Sequence, residues 1–299
     1  MKPAPFAYVR PARLGDVLAE LAGGDGKVLA GGQSLVPVLA MRLGRPATLV
    51  DINSVEGLDG LARDGSGDNE VIRVGAAVRQ RTLEHSPLAA AVPLLPLALP
   101  FVGHRELRSR GTVCGSLAHA DPAAELPAVA CCLGATLEVA GPGGRRKVGA
   151  EEFFVGAMTT GAGPEDVLVG VEFPVARPGE GHGFAEIARR HGDFALAGVA
   201  TRVRVGGDGA VAQARLTGFG ISDRPVTRDV TDLLRTAGGR PSEQDLRAAT
   251  TELAAEIVDT GGDAHGSTGY RRRLFAVLAA RELAKAHRRG LPTATEDPS

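Results

Sequence analysis

Cysteine is scarce in this chain of 299 residues, and Cys114, Cys131 and Cys132 are all it has. Three thiols cannot build a disulfide framework or ligate a four-cysteine iron-sulfur cluster, so any cluster must sit on another protein. No Cys-x-x-Cys, His-Glu-x-x-His or other metal-binding spacing groups the seven histidines. A dominant charge sign is missing too: 34 basic side chains face 35 acidic ones, and basic runs such as Arg271 to Arg273 are short. That balance leaves no field to recruit nucleic acid or an anionic membrane. No apolar run approaches the roughly eighteen residues of a membrane span, and Met1 to Phe6 lacks an apolar signal core, so the expected location is cytoplasmic. Walker A, Rossmann and Gly-x-Ser-x-Gly fingerprints are likewise missing.

What the chain does have is enough apolar residue, 43%, for a packed core, and two glycine-bearing runs. The first is Val28-Leu29-Ala30-Gly31-Gly32-Gln33-Ser34-Leu35-Val36-Pro37. Three apolar residues that suit a short buried strand lead into two glycines, then into a Ser placed to cap a helix over Leu35 to Arg42. Glycines there let backbone N-H groups crowd an anion, although a tight turn with a cap explains the run equally well. The second is Arg110-Gly111-Thr112-Val113-Cys114-Gly115-Ser116-Leu117-Ala118-His119-Ala120-Asp121-Pro122.

Periodicity and punctuation organise the rest. Leu14, Val17, Leu18 and Leu21 predict a helix that Gly23 to Gly26 ends before a strand over Lys27 to Ala30. A strand follows at Thr48 to Ile52, closing a small lobe of residues 1–56. Gly57 to Asn69 reads as a surface loop and Val71 to Val74 as a strand of a larger lobe, residues 57–176. That lobe holds the proline-broken apolar stretch Leu88 to Val102, a helix near Glu125 to Leu133, a hairpin turning at Gly141-Pro142-Gly143-Gly144, and a strand over Val167 to Phe173. Arg177 to Gly181 marks the start of a C-terminal domain, residues 177–288. Its expected strands are Gly183 to Ala188, Leu196 to Val205 and Val211 to Gly218. Two helices follow, one with Leu246, Ala249, Leu253 and Ile257 on a face, the other with Tyr270, Leu274, Val277 and Ala284. Residues 289–299 read as a flexible tail.

Together, Ala-Gly-Gly-x-Ser-Leu and the later Arg-Gly-Thr-Val-x-Gly-Ser-Leu-Ala-His-Ala-Asp-Pro resemble the FAD-binding medium subunit of the molybdenum hydroxylases, the carbon monoxide and xanthine dehydrogenase family. Gly192 to Ala200 and Tyr270 to Leu274 are similar to family signatures, so the likeness spans nearly the whole chain. It implies an α+β fold: a two-lobed FAD-binding region of the PCMH or vanillyl-alcohol-oxidase-like type, then a C-terminal α+β domain with a small antiparallel sheet and helices. It implies FAD gripped by Ala30, Gly31, Gly32, Gln33, Ser34 and Leu35 and by Thr112, Cys114, Gly115 and Ser116. His119, Asp121 and Glu125 fall near the cofactor, Glu125 being the better acceptor for ribose or adenine. Phe194 stands where an aromatic lies against the isoalloxazine ring. The chain departs from the family at Cys114, which replaces one of two paired glycines, and at Gln33, where many relatives carry His.

The resemblance further implies an oxidoreductase subunit that takes electrons from an iron-sulfur small subunit, serving a molybdopterin large subunit, and passes them to a terminal acceptor. No catalytic residue and no metal ligand is expected in the chain itself. Two other readings stay open: a stand-alone FAD-dependent oxidase or dehydrogenase of a small substrate, in that case a homo-oligomer, and a flavin-free assembly subunit.

Overall fold

A computed structural model describes residues 2–292. The N-terminal lobe holds β1 (Ala7–Val9), α1 (Leu14–Leu21), β2 (Gly26–Leu29), α2 (Leu35–Ala40) and β3 (Thr48–Asp51). Its three strands are all parallel in the order β1-β3-β2, with Val28 beside Val50 and Val9 also beside Val50. Helix α1 buries Val17 and Leu21 against this sheet, and Gly24 at φ 77° stops it, as the glycine run predicts.

The larger lobe is built on an antiparallel sheet of order β4-β5-β10-β6-β7. Its strands are β4 (Leu61–Asp64), β5 (Val71–Gly75), β6 (Thr136–Gly141), β7 (Gly144–Gly149), the small hairpin β8 (Phe154–Gly156) and β9 (Thr159–Thr160), then β10 (Val167–Pro174). Helices α3 (Gln80–His85), α4 (Leu94–Ala98), α5 (Arg105–Arg110), α6 (Val113–His119), α7 (Glu125–Leu133) and α8 (Ala150–Phe153) complete it. Strand β4 runs through the segment expected to be a loop. It is an edge strand whose Ala62, Arg63 and Asp64 face solvent, so it carries no apolar alternation to read. Strands β6 and β7 turn at Pro142-Gly143, the hairpin expected there.

The C-terminal sheet has the order β11-β12-β13-β14: β11 (Glu180–Ala188), β12 (Ala195–Val205), β13 (Val211–Phe219) and β14 (Val226–Asp229). Helices α9 (Thr231–Ala237), α10 (Glu243–Ile257) and α11 (Thr268–Gly290) follow. Val199, Val203, Leu216 and Ala214 pack on the helices, while Phe184, Ala195, Ala200 and Phe219 join the core of the larger lobe. Both faces of the central strands are therefore covered, β12 burying nine of its eleven residues. Helix α7, wedged between the lobe and this sheet, has all nine residues buried. Helix α11 runs through Gly290, whose backbone meets Gly179 and Gly181 too closely for a side chain. Residues 289 and 290, expected in the tail, belong to this helix, and residues 293–299 lie outside the described part.

Candidate cofactor site

Strands β2 and β3 end side by side, and the segments leaving them build the first half of the site, in the crevice position where open parallel sheets hold ligands. After Leu29 the chain passes Ala30 and Gly31 to Gly32, at φ 73°, a conformation that side-chain-bearing residues rarely adopt. The N-H groups of Gly31, Gly32, Gln33 and Ser34 have no backbone acceptor among the described residues. Ser34 holds the N-cap position of α2, but its backbone is already helical and its side chain caps nothing, contrary to expectation. Its exposed hydroxyl is left as a donor. Gln33 folds back instead, its Nε2 donating to the carbonyl of Gly31 at 3.1 Å. Leu35 opens the helix and is half-buried.

The second half lies between α5 and α6. Thr112 caps α6 by accepting the N-H of Gly115 at 3.0 Å, which uses an oxygen lone pair and leaves its O-H free to donate. A side chain at Gly115 would sit 2.6 Å from that oxygen, so the cap itself demands glycine. Ser116, on the next turn, is half-buried.

The two halves are one surface. A β-carbon at Gly31 would overlap the carbonyl oxygen of Arg110 and lie 2.6 Å from the Cα of Gly111 and 2.9 Å from the nitrogen of Thr112. The absence of a side chain at Gly31 is thus required by loop-to-loop contact as well as by any approach of an anion. Four unpaired amides with the hydroxyls of Ser34 and Ser116 make a donor set that fits a diphosphate, with Thr112 beside them only 2% exposed.

Cys114 points the other way. It is 2% exposed, its sulfur lies 3.7 Å from the carbonyl of Val74, and burial pushes its thiol far above the usual range. Only its backbone is offered to the loop, and a neutral buried thiol is neither nucleophile nor redox partner.

His119, in the last turn of α6, is half-buried, and desolvation lowers its pKa despite the nearby Asp121. Asp121 closes its own turn by accepting the N-H of Ala123 at 2.8 Å. Glu125 starts α7 and is buried. Desolvation first, and Asp121 second among the groups that raise it, push its carboxyl up to about 7, so near neutrality it is as much an O-H donor as an acceptor. Glu186 on β11 lies near it, pushed up to about 8 by burial and by Glu125, with Oε2 buried and without a partner among the described residues. Phe194, in the loop between β11 and β12, is 70% exposed. Its loop is braced by an Arg189–Asp193 ion pair, and Asp193 also accepts the N-H of Phe194 at 3.0 Å.

The structure adds residues that motif reading passed over. Asn53 and Arg79 lie against the loops, and Arg271 donates to the carbonyls of Leu196 and Gly220 at 2.7 and 2.8 Å, tying α11 to the strand that leaves Phe194. Asn53 had a readable signal, its place just past the end of a parallel strand. Arg79 had none. Among the described residues no group of acidic, His or Cys side chains is placed to hold a metal, and no helix is long and apolar enough to cross a membrane.

Paired glycine loops on two lobes, followed by a sheet-and-helix domain, define a FAD-binding flavoprotein of the oxidoreductases. Residues 4–176 match the FAD binding domain in molybdopterin dehydrogenase and residues 182–286 match the CO dehydrogenase flavoprotein C-terminal domain, so the chain belongs to the medium subunits of the molybdenum hydroxylases. It is 36% identical over 297 residues to the 6-hydroxypseudooxynicotine dehydrogenase complex subunit alpha of Paenarthrobacter nicotinovorans, covering 98% of each chain. It is 35% identical to the caffeine dehydrogenase subunit beta of Pseudomonas sp. strain CBB1, covering 96% of each. Among solved structures, carbon monoxide dehydrogenase from Hydrogenophaga pseudoflava superposes with a TM-score of 0.88 at 31% identity, over 97% of this chain and 99% of that one.

Proposed function

We propose that this chain is the cytoplasmic electron-transfer flavoprotein subunit of a three-part dehydrogenase. A large molybdopterin subunit oxidises the substrate, a small iron-sulfur subunit relays electrons, and this chain collects them for a terminal acceptor. The observation that carries the reading is the seam where the unpaired amides of Gly31 to Ser34 meet the loop that bears Thr112 and Ser116, in a chain that matches a relative over 98% of its length. Bound FAD supplies the electron-carrying chemistry; the protein positions and tunes it.

In this reading each site residue has a role. The amides of Gly31, Gly32, Gln33 and Ser34 and the hydroxyls of Ser34 and Ser116 hold the diphosphate, with Thr112 beside them. Ala30 and Leu35 frame the first loop, and Cys114 and Gly115 contribute backbone to the second. Glu125, His119 and Asp121 would lie near the bound cofactor, and Phe194 would stand against its flavin ring. The division falls at residues 176 and 177, with FAD held by the two N-terminal lobes.

The test is direct. Denatured protein should release FAD and not FMN, and co-expression with a cysteine-rich small chain and a molybdopterin-binding large chain should give a complex that co-elutes. A colourless chain that takes up no added FAD refutes the cofactor assignment; a flavoprotein that never co-elutes refutes the subunit assignment alone.

A further inference from the structure

The loop surface is held by a cross-brace outside both loops. The Nδ2 of Asn53 donates to the carbonyl of Ala30 at 2.8 Å, at the root of the first loop. Arg79, just before α3, donates Nη2 to the Oδ1 of Asn53 at 2.7 Å and Nη1 to the carbonyl of Arg110 at 2.5 Å, at the root of the second. Asn53 is fixed from behind. Asp51 accepts from its backbone N-H at 2.8 Å and from Nδ2 at 2.6 Å, and the hydroxyl of Tyr8 donates to the other oxygen of Asp51 at 2.5 Å. The resulting chain of bonds runs Tyr8, Asp51, Asn53, Arg79, Arg110, from the first strand of the small lobe to the second loop of the large one.

Arg79 is unusual in its surroundings. It is half-buried, its guanidinium bonds only neutral oxygens, and burial with the nearby Arg110 lowers its pKa, against a smaller opposing effect of Asp51. Two cations at the seam of two anion-gripping loops are what a dianionic group between those loops would balance.

Resting on the FAD assignment above, we propose that Arg79 and Asn53 are positioning residues that lock the two loops in the register needed to grip one diphosphate together. Neither needs to touch the cofactor. A ligand that engages both loops depends on the brace, whereas one whose phosphate engages a single loop does not. FAD is of the first kind and FMN of the second.

The test titrates the purified full chain with FAD and with FMN in wild type, Arg79→Met, Arg79→Lys, Asn53→Ala and the Arg79→Met/Asn53→Ala pair, with melting of the apo protein followed in parallel. Each single truncation should weaken FAD about tenfold, the scale of one lost charge-assisted hydrogen bond, while FMN affinity changes little. The pair should bind FAD no worse than the weaker single variant, because both break one linkage. Arg79→Lys should recover only part of the affinity, since an ammonium cannot fork between two carbonyl oxygens. Unchanged FAD binding in both single variants overturns the proposal. So does an equal loss for FAD and FMN that tracks a fall in apo melting temperature, which would make the pair structural. A wild-type chain that binds no FAD overturns the cofactor reading itself, a result distinguishable from either.

Discussion

The backbone of Gly31 rests on the carbonyl of Arg110, so the first glycine loop of the small lobe and the second of the large lobe share a seam with no room for a β-carbon. Two motifs far apart in sequence therefore act as one surface, and the lobes cannot shift without opening it. This also separates the duties of two adjacent glycines. Gly31 is demanded by packing, whereas Gly32 is demanded by its φ of 73°.

That separation predicts different outcomes for Gly31→Ala and Gly32→Ala. At Gly31 the new methyl meets backbone atoms that cannot rotate away, so the loops must part, at a cost of about 1–3 kcal/mol and with a loss of FAD affinity. At Gly32 it meets only the side-chain carbons of Leu29 and Val36 at 3.3 Å, and the penalty is the left-handed backbone, about 1–2 kcal/mol. Gly32→Asn should recover part of that loss, and Gly31→Asn none, as Asn tolerates this region. Thermal melting and FAD titration of the four variants check this; a Gly31→Ala protein that melts like wild type would refute the seam.

Cys114 stands where the family pairs glycines, yet its side chain fills core space beneath α6. Restoring glycine there leaves a hole and weakens a helix, so Cys114→Gly should lose about 1–3 kcal/mol of stability with FAD content unchanged. A thiol reagent should fail to label Cys114 in the folded protein and label it after unfolding. Rapid native labelling at this position would show that the thiol is not packed away.

Much of this was legible in the sequence, and the exceptions share a cause. The first loop, α1, α7 and the hairpin at Gly141 to Gly144 announce themselves through local spacing, because each is specified by residues close in the chain. Strand β4 is not legible because an exposed edge needs no apolar alternation, and β14 because three half-buried residues and one exposed carry too short a pattern. Within the site, Thr112 and Ser116 are readable as donors, but the freedom of Ser34 from capping is not, since the residue type at that position argues for a cap. Arg79 and Glu186 were invisible for a different reason: each acquires its role only from a partner in another lobe or domain.

Glu125 and Glu186 give the fold a pH dependence that can be signed. Both carboxyls are raised in the folded state, from 4.5 to about 7 and about 8, so the folded chain holds protons that the unfolded chain has released. Stability therefore falls as pH rises from about 4.5 through that window, and levels off above it. Because Glu125 raises Glu186, the two losses should overlap as pH rises rather than stand as separate steps. Glu186→Gln cannot ionise, so it should melt close to wild type at pH 5 and above it at pH 8. An identical difference at both pH values would show that Glu186 does not carry a raised pKa.

Phe194 offers the sharpest test of where the flavin ring lies. A large aromatic that is 70% exposed contributes little to the apo fold, and its loop is held by neighbours, through the Arg189–Asp193 pair and the anchoring of Leu196 by Arg271. Phe194→Ala should accordingly leave apo melting within a degree or so of wild type, in line with the small effect of exposed substitutions. If the ring stacks on the isoalloxazine, its removal costs about 0.5–1.5 kcal/mol of aromatic contact, a severalfold weaker FAD affinity. Phe194→Tyr should restore the affinity and, because a phenol but not a phenyl ring is oxidisable by excited flavin, should quench flavin fluorescence below the wild-type level. Weakening confined to complex assembly, with FAD affinity and fluorescence untouched, would place Phe194 on a partner surface and leave the ring uncovered from this side.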